Sequence, residues 1–449
     1  MADDMMSVSP SEHPAIARVR QRLSQDSPGP LTAETLRQLA LEAGADDAGA
    51  VSLDLPELAG ERPHVLGALP SARTLVSLVI RTSPDNIRSP TRSVANGEFH
   101  LRGDEVDEVA SRLAEALRAR GHRAVNPPMA FPMEMDSFPG RTWVVSHKTV
   151  AVAAQLGKIG LHRSVIHPRF GSFILLGTVF TDAEVTTAPR PLAFNPCVEC
   201  KLCVAACPVG AIEPDGTFRF SACLDHNYRE FMTGFSDFVE EVAESKNRQD
   251  FRDRVPLGET VSMWQSLAFR PNYKAAYCIA VCPAGDDVLD GFVDRRPQHL
   301  KEVVRPLTER VEDVYVVPGS DAEAHVQKRF PHKRVRQVRS SLRPTSAAGF
   351  FAGLPLIFQR GPARGWSARF HFDLTGPDTK QATVRIADGT LEVAPGLVGE
   401  PDVSVRCDAG IWLQIVSRRR NPVVAVLTRR LKVKGDRKLL DRFAACFPR

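Results

Sequence analysis

Hydrophobic positions along the chain follow first a helical and then a two-residue spacing. Leu36, Leu39, Ala40 and Ala43 share one helical face. Thr32 stands at the N-cap, Thr35 at the capping-box position and Gly44 at the C-terminal stop. Ala48 to Val51 reads as a short strand, and Thr74 to Ile80 as a continuous apolar run of strand length. Such runs belong to strands covered on both faces. Val106, Val109, Leu113 and Leu117 predict a helix over 104–120. Val150 to Leu156 predicts another, ending at Gly157, and Phe173 to Phe180 a second buried strand. Strands alternating with helices predict an α/β core.

The segment 184–196, with Pro189, Pro191 and Pro196, reads as a connection. Residues 229–262 read as helical and charged. Residues 301–343 read as a basic connecting segment containing Val314 to Val317. Beyond 344 the pattern becomes β-like. Arg369–Leu374, Ala382–Ile386, Leu391–Val393 and Asp402–Arg406 alternate with period two, and Asp388-Gly389 marks a hairpin turn. Residues 409–428 read as a helix, 431–434 as a last strand and 439–447 as a closing helix. No internal repeat is visible. The expected division is a polar, partly disordered tail (1–30), an α/β domain (31–190), a cysteine-rich domain with a helical insertion (191–300), the basic segment (301–343) and a C-terminal α+β domain (344–449).

Composition adds little: 449 residues, 43% hydrophobic and 25% charged, describe an ordinary globular chain. A net charge of +5 is too small to argue for nucleic acid. No run reaches the ~20 apolar residues of a membrane helix, and the acidic, polar start is unlike a secretory signal. The expected location is the cytoplasm.

The cysteines change the picture. Cys197, Cys200, Cys203, Cys207 and Cys223 lie within 27 residues of one another. Clustered cysteines in a cytosolic chain point to metal rather than disulfides. Cys197-x2-Cys200-x2-Cys203-x3-Cys207-Pro208 is the bacterial ferredoxin spacing, in which three thiolates wrap one cubane and the fourth serves another. Zinc is the competing metal. Cys278-x3-Cys282-Pro283 repeats the end of the run, with Ala275 where a regular motif has cysteine. Ferredoxin pairing gives Cys197, Cys200, Cys203 and Cys282 to a first [4Fe-4S] cluster. It leaves Cys207, Cys223 and Cys278 for a second, which is then three-iron or closed by a non-cysteine ligand. His226 and Asp225 are candidates for that corner. If Cys223 is merely buried, one cluster remains. Cys407 and Cys446 read as small core residues.

The segment Val150-Ala-Val-Ala-Ala-Gln-Leu-Gly-Lys-Ile-Gly160, with His167-Pro-Arg-Phe-Gly-Ser172 and Thr181-Asp182, resembles the core of epoxyqueuosine reductases and reductive dehalogenases. Gly44 to Val51 is similar to their first helix–strand unit. The resemblance covers roughly residues 31–285. It implies a corrinoid-binding α/β domain followed by a two-cluster ferredoxin domain, and hence cobalamin as a cofactor. By position, Gly157, Gly160, His162, Arg163 and Ser164 would meet the corrinoid, glycine having no Cβ to block the approach. The chain departs from the pattern at Arg141, where epoxyqueuosine reductases carry a proton-delivering acid. Glu134 and Asp136 are the nearby acids, and His147 and Lys148 are alternative donors. No tyrosine precedes Tyr228.

Phe370-His-Phe-Asp-Leu374, Ala387-Asp-Gly-Thr-Leu391, Gly399-Glu-Pro-Asp402 and Leu431-Lys-Val-Lys-Gly-Asp436 resemble the sterol carrier protein type 2 family. That resemblance implies an apolar tunnel for a sterol, acyl chain or other lipid. Trp412, Ile415, Val423, Val424 and Leu427 are candidates for its lining. Residues 411–449 hold eleven Lys/Arg and two Asp/Glu, a patch suited to an anionic lipid surface or an acidic partner.

These readings favour an iron–sulfur oxidoreductase. A small ferredoxin, flavodoxin or other donor would feed its clusters, and a corrinoid centre would reduce an apolar organic substrate. The alternative is a non-catalytic electron-transfer protein with a lipid-binding or docking domain. No Gly-x-Gly-x-x-Gly follows a strand, against a dinucleotide fold.

Overall fold

A computed structural model describes residues 13–23, 29–138, 140–186 and 191–448. The expected tail lies partly outside this range, and its described part, Pro14–Leu23, is helical. Of the proline-rich connection, 187–190 also lie outside it.

The first sheet has the spatial order Asp47–Ser52, Thr74–Arg81, Ile174–Thr181, Ala124–Val125, and every pairing is antiparallel. Val76, Leu78 and Ile80 pack on one face against helices Ala33–Glu42 and Arg92–Ala119. Leu75, Val79 and Phe180 pack on the other against helices Arg62–Ala68 and His147–Ala153. Cover on both faces makes the strands uniformly apolar.

Two helix starts differ from the periodicity. Arg92–Ala119 begins twelve residues before 104. Its first turns carry buried polar groups: Glu98, 4% exposed, accepts from the Ser83 amide (2.7 Å) and Asn86 (2.8 Å), so apolar spacing is not required there. His147–Ala153 begins three residues before Val150, capped by Ser146, which accepts from the Thr149 amide. This places His147 and Lys148 in its first turn. Thr32 caps Ala33–Glu42 as expected, accepting from the Thr35 amide at 3.0 Å.

The cysteine-rich region is built from short helices, Leu202–Ala206, Phe220–Asn227 and Tyr277–Ala280. Between the last two the insertion folds as Gly234–Glu244, Arg248–Arg254 and Leu257–Phe269. Within the basic segment, strands Asp313–Val316 and Arg334–Gln337 pair in parallel around helix Asp321–Arg329. Val314, Val316, Val326 and Phe330 pack with Cys203, Cys207 and Ile212.

The C-terminal sheet has the order Thr390–Pro395, Lys380–Ala387, Ser367–Thr375, Val403–Asp408, Leu431–Gly435. Only Ser367–Thr375 and Val403–Asp408 run parallel. Asp388 and Gly389 both have positive φ (42° and 80°), the hairpin turn expected there. The helix expected over 409–428 is two, Ala409–Val416 and Pro422–Leu427. Arg418, at φ 59°, and Pro422 break it, and Asn421 caps the second piece.

Candidate functional site

Two similar backbone turns present the thiols. Lys201 adopts a left-handed conformation (φ 60°) ahead of helix Leu202–Ala206, and Ala276 does the same (φ 51°) ahead of Tyr277–Ala280. Both conformations are unusual for residues other than glycine. Cys207 follows the first helix and Cys282 the second, each before a proline. Cys197, Cys200, Cys203 and Cys282 lie within electrostatic reach of one another, and Cys207, Cys223 and Cys278 form a second set. The sets meet at Cys203 and Cys278.

Burial pushes the Cys203 and Cys223 thiols up to about 12 and Cys282 up to about 11. Free of metal they stay protonated, so metal binding must release protons. Among the described residues no three His, Cys, Asp or Glu side chains close around a single ion. The Cys207 sulfur accepts from the Ala211 amide at 3.2 Å, and the Val209, Gly210 and Ile212 amides also favour its thiolate. Seven cysteines in two sets, with amides aimed at sulfur, are a donor arrangement that fits iron–sulfur clusters.

A cavity of about 580 Å³ lies where the α/β domain meets the cysteine-rich region. That is within the ~300–1,000 Å³ of small-molecule and cofactor sites. His147, Lys148, His162, Arg163 and Ser164 line it from the α/β domain, and Cys207, Cys223 and Cys278 line it from the other side. Cys197, Cys200, Cys203 and Cys282 are absent from its wall, so only the three-thiol set reaches the cavity. Loops 167–172 and 282–287 lock the two halves together. The Asp286 amide donates to Pro168 O (2.9 Å) and the Asp287 amide to Arg169 O (3.0 Å). A Cβ on Gly171 would lie 1.8 Å from Ala284 O, which requires glycine there.

The candidate proton donors separate. Glu134 and Asp136 are exposed and outside the cavity wall, so neither delivers a proton into it from this position. Arg141 lines the cavity and pairs with Glu61. His147 has both ring nitrogens engaged. Nε2 donates to Pro128 O (3.2 Å), which leaves Nδ1 to accept from the Thr178 hydroxyl (2.8 Å). Lys148 reaches the cavity and donates through Nζ to Arg163 O at 3.0 Å. Burial lowers its pKa, and the nearby Cys278 and Cys223 charges oppose that.

His162 is 4% exposed, and its Nδ1 accepts from the Ser164 amide. Its Nε2 has no partner. Burial, then Lys148, lowers its pKa to about 4, so the ring is neutral and carries its proton on Nε2. Gly157 and Gly160 are absent from the cavity wall. A Cβ on either would meet Ile166 at 2.5 Å, so they serve close packing against Val165–Ile166. An unpartnered buried N–H beside Arg163, Ser164 and Lys148 fits a large organic group with acceptor side chains, such as a corrinoid.

The two candidates for the fourth cluster corner also separate. Asp225 accepts from the Ser341 amide at 2.6 Å and is not in the cavity wall. It is therefore engaged elsewhere. His226 lines the cavity with a partnerless Nε2, while its Nδ1 accepts from the Tyr315 amide. Its charged neighbours are Lys274 and Lys333. The sequence reading missed Tyr228 and Tyr273, which the insertion brings into the cavity. The four-residue spacing of Phe220, Leu224, Tyr228 and Met232 carried the signal. All four line the cavity, and all four pack on the C-terminal domain's core.

In that domain Trp412 is 8% exposed and packs between Phe350 and Phe372, with ring centroids 5.6 and 5.4 Å away. Ile415 packs at the edge of the same core. Val423, Val424 and Leu427 do not line an interior: they are 62, 49 and 77% exposed. The short helix that carries them turns only Ala425 fully inward. Among the described residues no helix is long and apolar enough to cross a membrane.

The geometry thus defines a cysteine-lined cavity on an α/β domain, joined to a C-terminal α+β domain. Residues 359–448 match the SCP-2 sterol transfer family. The chain is 24% identical over 162 residues to an epoxyqueuosine reductase of Staphylococcus aureus, covering 35% of this chain and 40% of that one. Over 100 residues it is 31% identical to an epoxyqueuosine reductase of Listeria monocytogenes, covering 22% and 24%. The chain thus spans less than half the length of these relatives. Among solved structures it is similar to an epoxyqueuosine reductase from Streptococcus thermophilus, with TM-score 0.35, 16% identity, and 60% and 74% coverage.

Proposed function

We propose that this protein is an iron–sulfur oxidoreductase that reduces an apolar organic molecule held in the cavity. The observation that carries the reading is the shared wall. Phe220, Leu224, Tyr228 and Met232 belong at once to the cavity and to the core of the lipid-carrier-type domain. An apolar molecule leaving that domain meets the cavity without crossing open water. The three-thiol set stands on the same cavity.

Cys197, Cys200, Cys203 and Cys282 would hold one [4Fe-4S] cluster, and Cys207, Cys223 and Cys278 the second. Cys197 and Cys200 are part-exposed, which suits entry of electrons from a small ferredoxin, flavodoxin or similar donor. His162 Nε2–H, Arg163 and Ser164 would hold the polar edge of a corrinoid, and Lys148 Nζ, bonded to Arg163 O, would stand beside them on the cavity side. When bound, a corrinoid supplies a low-potential metal for two-electron reduction of an organic substrate.

The C-terminal domain would take a hydrophobic ligand. Its exposed residues Val423, Val424 and Leu427 are flanked in sequence by Arg418, Arg419, Arg429 and Arg430, with no acidic residue between 409 and 435. This favours contact with an anionic membrane.

The test is to reconstitute the full chain anaerobically with iron and sulfide, add cobalamin, pass it through gel filtration and reduce it. The expected result is cobalamin co-eluting with the protein and converting to Co(I). Cobalamin eluting free removes the corrinoid. Clusters that no low-potential donor reduces overturn the whole reading.

A further inference from the structure

We infer that the cluster on the cavity side has one iron corner with no protein ligand, at Ala275, and that this corner takes an anionic ligand from the cavity. The inference rests on the iron–sulfur reading above and specifies its second site.

The two thiol-bearing turns are the same construction. Cys200 immediately precedes Lys201, whose left-handed backbone opens helix Leu202–Ala206; Cys203 is in that helix and Cys207-Pro208 follows it. Ala275 immediately precedes Ala276, whose left-handed backbone opens helix Tyr277–Ala280; Cys278 is in that helix and Cys282-Pro283 follows it. Ala275 therefore occupies the backbone position that presents Cys200. Its conformation is fixed without a ligand side chain. Its amide (3.0 Å) and that of Ala276 (2.8 Å) donate to Asn227 Oδ1, and its carbonyl accepts from Arg92 Nη2 at 2.8 Å. The cradle is kept and the sulfur is gone.

Ala275 lines the cavity together with Cys207, Cys223 and Cys278. The missing corner thus lies at the cavity wall, although Ala275 itself is buried among Phe99, Ala206 and Tyr277. Neither earlier candidate closes it. Asp225 is held by Ser341 and His226 turns its Nδ1 to the Tyr315 amide; both sit on helix Phe220–Asn227, away from the turn position of Ala275. An iron without a protein donor takes an anionic oxygen or sulfur group, and Lys148 lines the same cavity as Cys223 and Cys278, a cation suited to such a ligand. The ligand class is therefore a thiolate, carboxylate or hydroxide at the cavity end of the cluster.

The test uses the full chain reconstituted with iron and sulfide, as wild type, Ala275→Cys and Ala275→Ser. Mild ferricyanide oxidation should remove about one iron per chain from the wild type and give a three-iron EPR signal, as an unprotected cubane corner does. Ala275→Cys should lose that signal and keep its iron, and Ala275→Ser, which offers an oxygen donor at the same corner, should fall between the two. In the reduced state, 2-mercaptoethanol should shift the wild-type EPR spectrum and leave that of Ala275→Cys unchanged. A wild type that holds all its iron under oxidation and ignores the thiol overturns the open corner alone. A three-iron signal undiminished in Ala275→Cys overturns it too. A chain that binds no iron at all overturns the iron–sulfur reading and this inference with it.

Discussion

Glu61 and Arg141 form an ion pair at the wall of the cavity. The Glu61 carboxylate is nearly buried, pairs with Arg141, and also accepts from the Ser146 amide at 2.8 Å. Ser146 caps the helix that puts His147 and Lys148 on the cavity. The pair is thus a brace for the cavity wall. Glu61→Ala leaves a part-buried guanidinium and a cap amide without their acceptor. The expected loss is about 1–3 kcal/mol in denaturant unfolding. Glu61→Gln keeps acceptor oxygen and should lose less. Equal stability in Glu61→Ala and wild type would remove the bracing role.

The buried neutral histidine gives a pH dependence. His162 titrates near 6.5 in the unfolded chain and at about 4 in the folded one. Between those values the unfolded chain binds the proton and the folded chain does not, so stability rises with pH. The contribution is complete above 6.5 and is lost as pH falls toward 4. Between pH 7 and pH 5 it is worth about 2 kcal/mol, at ~1.4 kcal/mol per unit. His162→Gln should flatten that part of the profile of thermal midpoint against pH. An unchanged slope would assign the dependence to other groups, His226 first, since its pKa is lowered to about 3.

The exposed tip of the C-terminal domain separates a surface role from a core role. Val423→Glu with Leu427→Glu should change stability by less than about 0.5 kcal/mol per site, because both side chains face solvent. Flotation with vesicles containing anionic phospholipid should fall markedly, and added salt should weaken the wild type as well. Trp412→Asp should instead unfold the domain, since Trp412 packs on Phe350 and Phe372. Undiminished vesicle binding in the double variant would remove the membrane contact.

The sequence made legible whatever is local. The ferredoxin spacing and the fully apolar strand from Thr74 to Ile80 needed only a few residues each. The cap at Thr32 and the turn at Asp388-Gly389 were equally local. Relations across the chain were not legible. Residues 147–164 and 207–232 line the same cavity through contacts between distant segments, such as Gly171 against Ala284 and Arg92 on the Ala275 carbonyl. The helix at Arg92 was hidden because its early turns bury Glu98 with hydrogen-bond partners instead of apolar neighbours. Val423, Val424 and Leu427 read as interior on one long helix. The break at Arg418 and Pro422 turns them outward. The glycines read as approach points for a cofactor are filled from behind by Val165 and Ile166.

The most direct measurement of the central claim is iron and acid-labile sulfide in the anaerobically reconstituted full chain, beside Cys200→Ser and Cys278→Ser. Two separate clusters predict that Cys278→Ser, left with two thiols, loses about half the iron and the cavity-side EPR signature, while Cys200→Ser, left with three, loses about one iron and alters only the other signature. Cys278→Ser should also lose any spectral response to molecules entering the cavity, and Cys200→Ser should keep it. Zinc in place of iron, or the same cluster lost from both variants, would contradict the account.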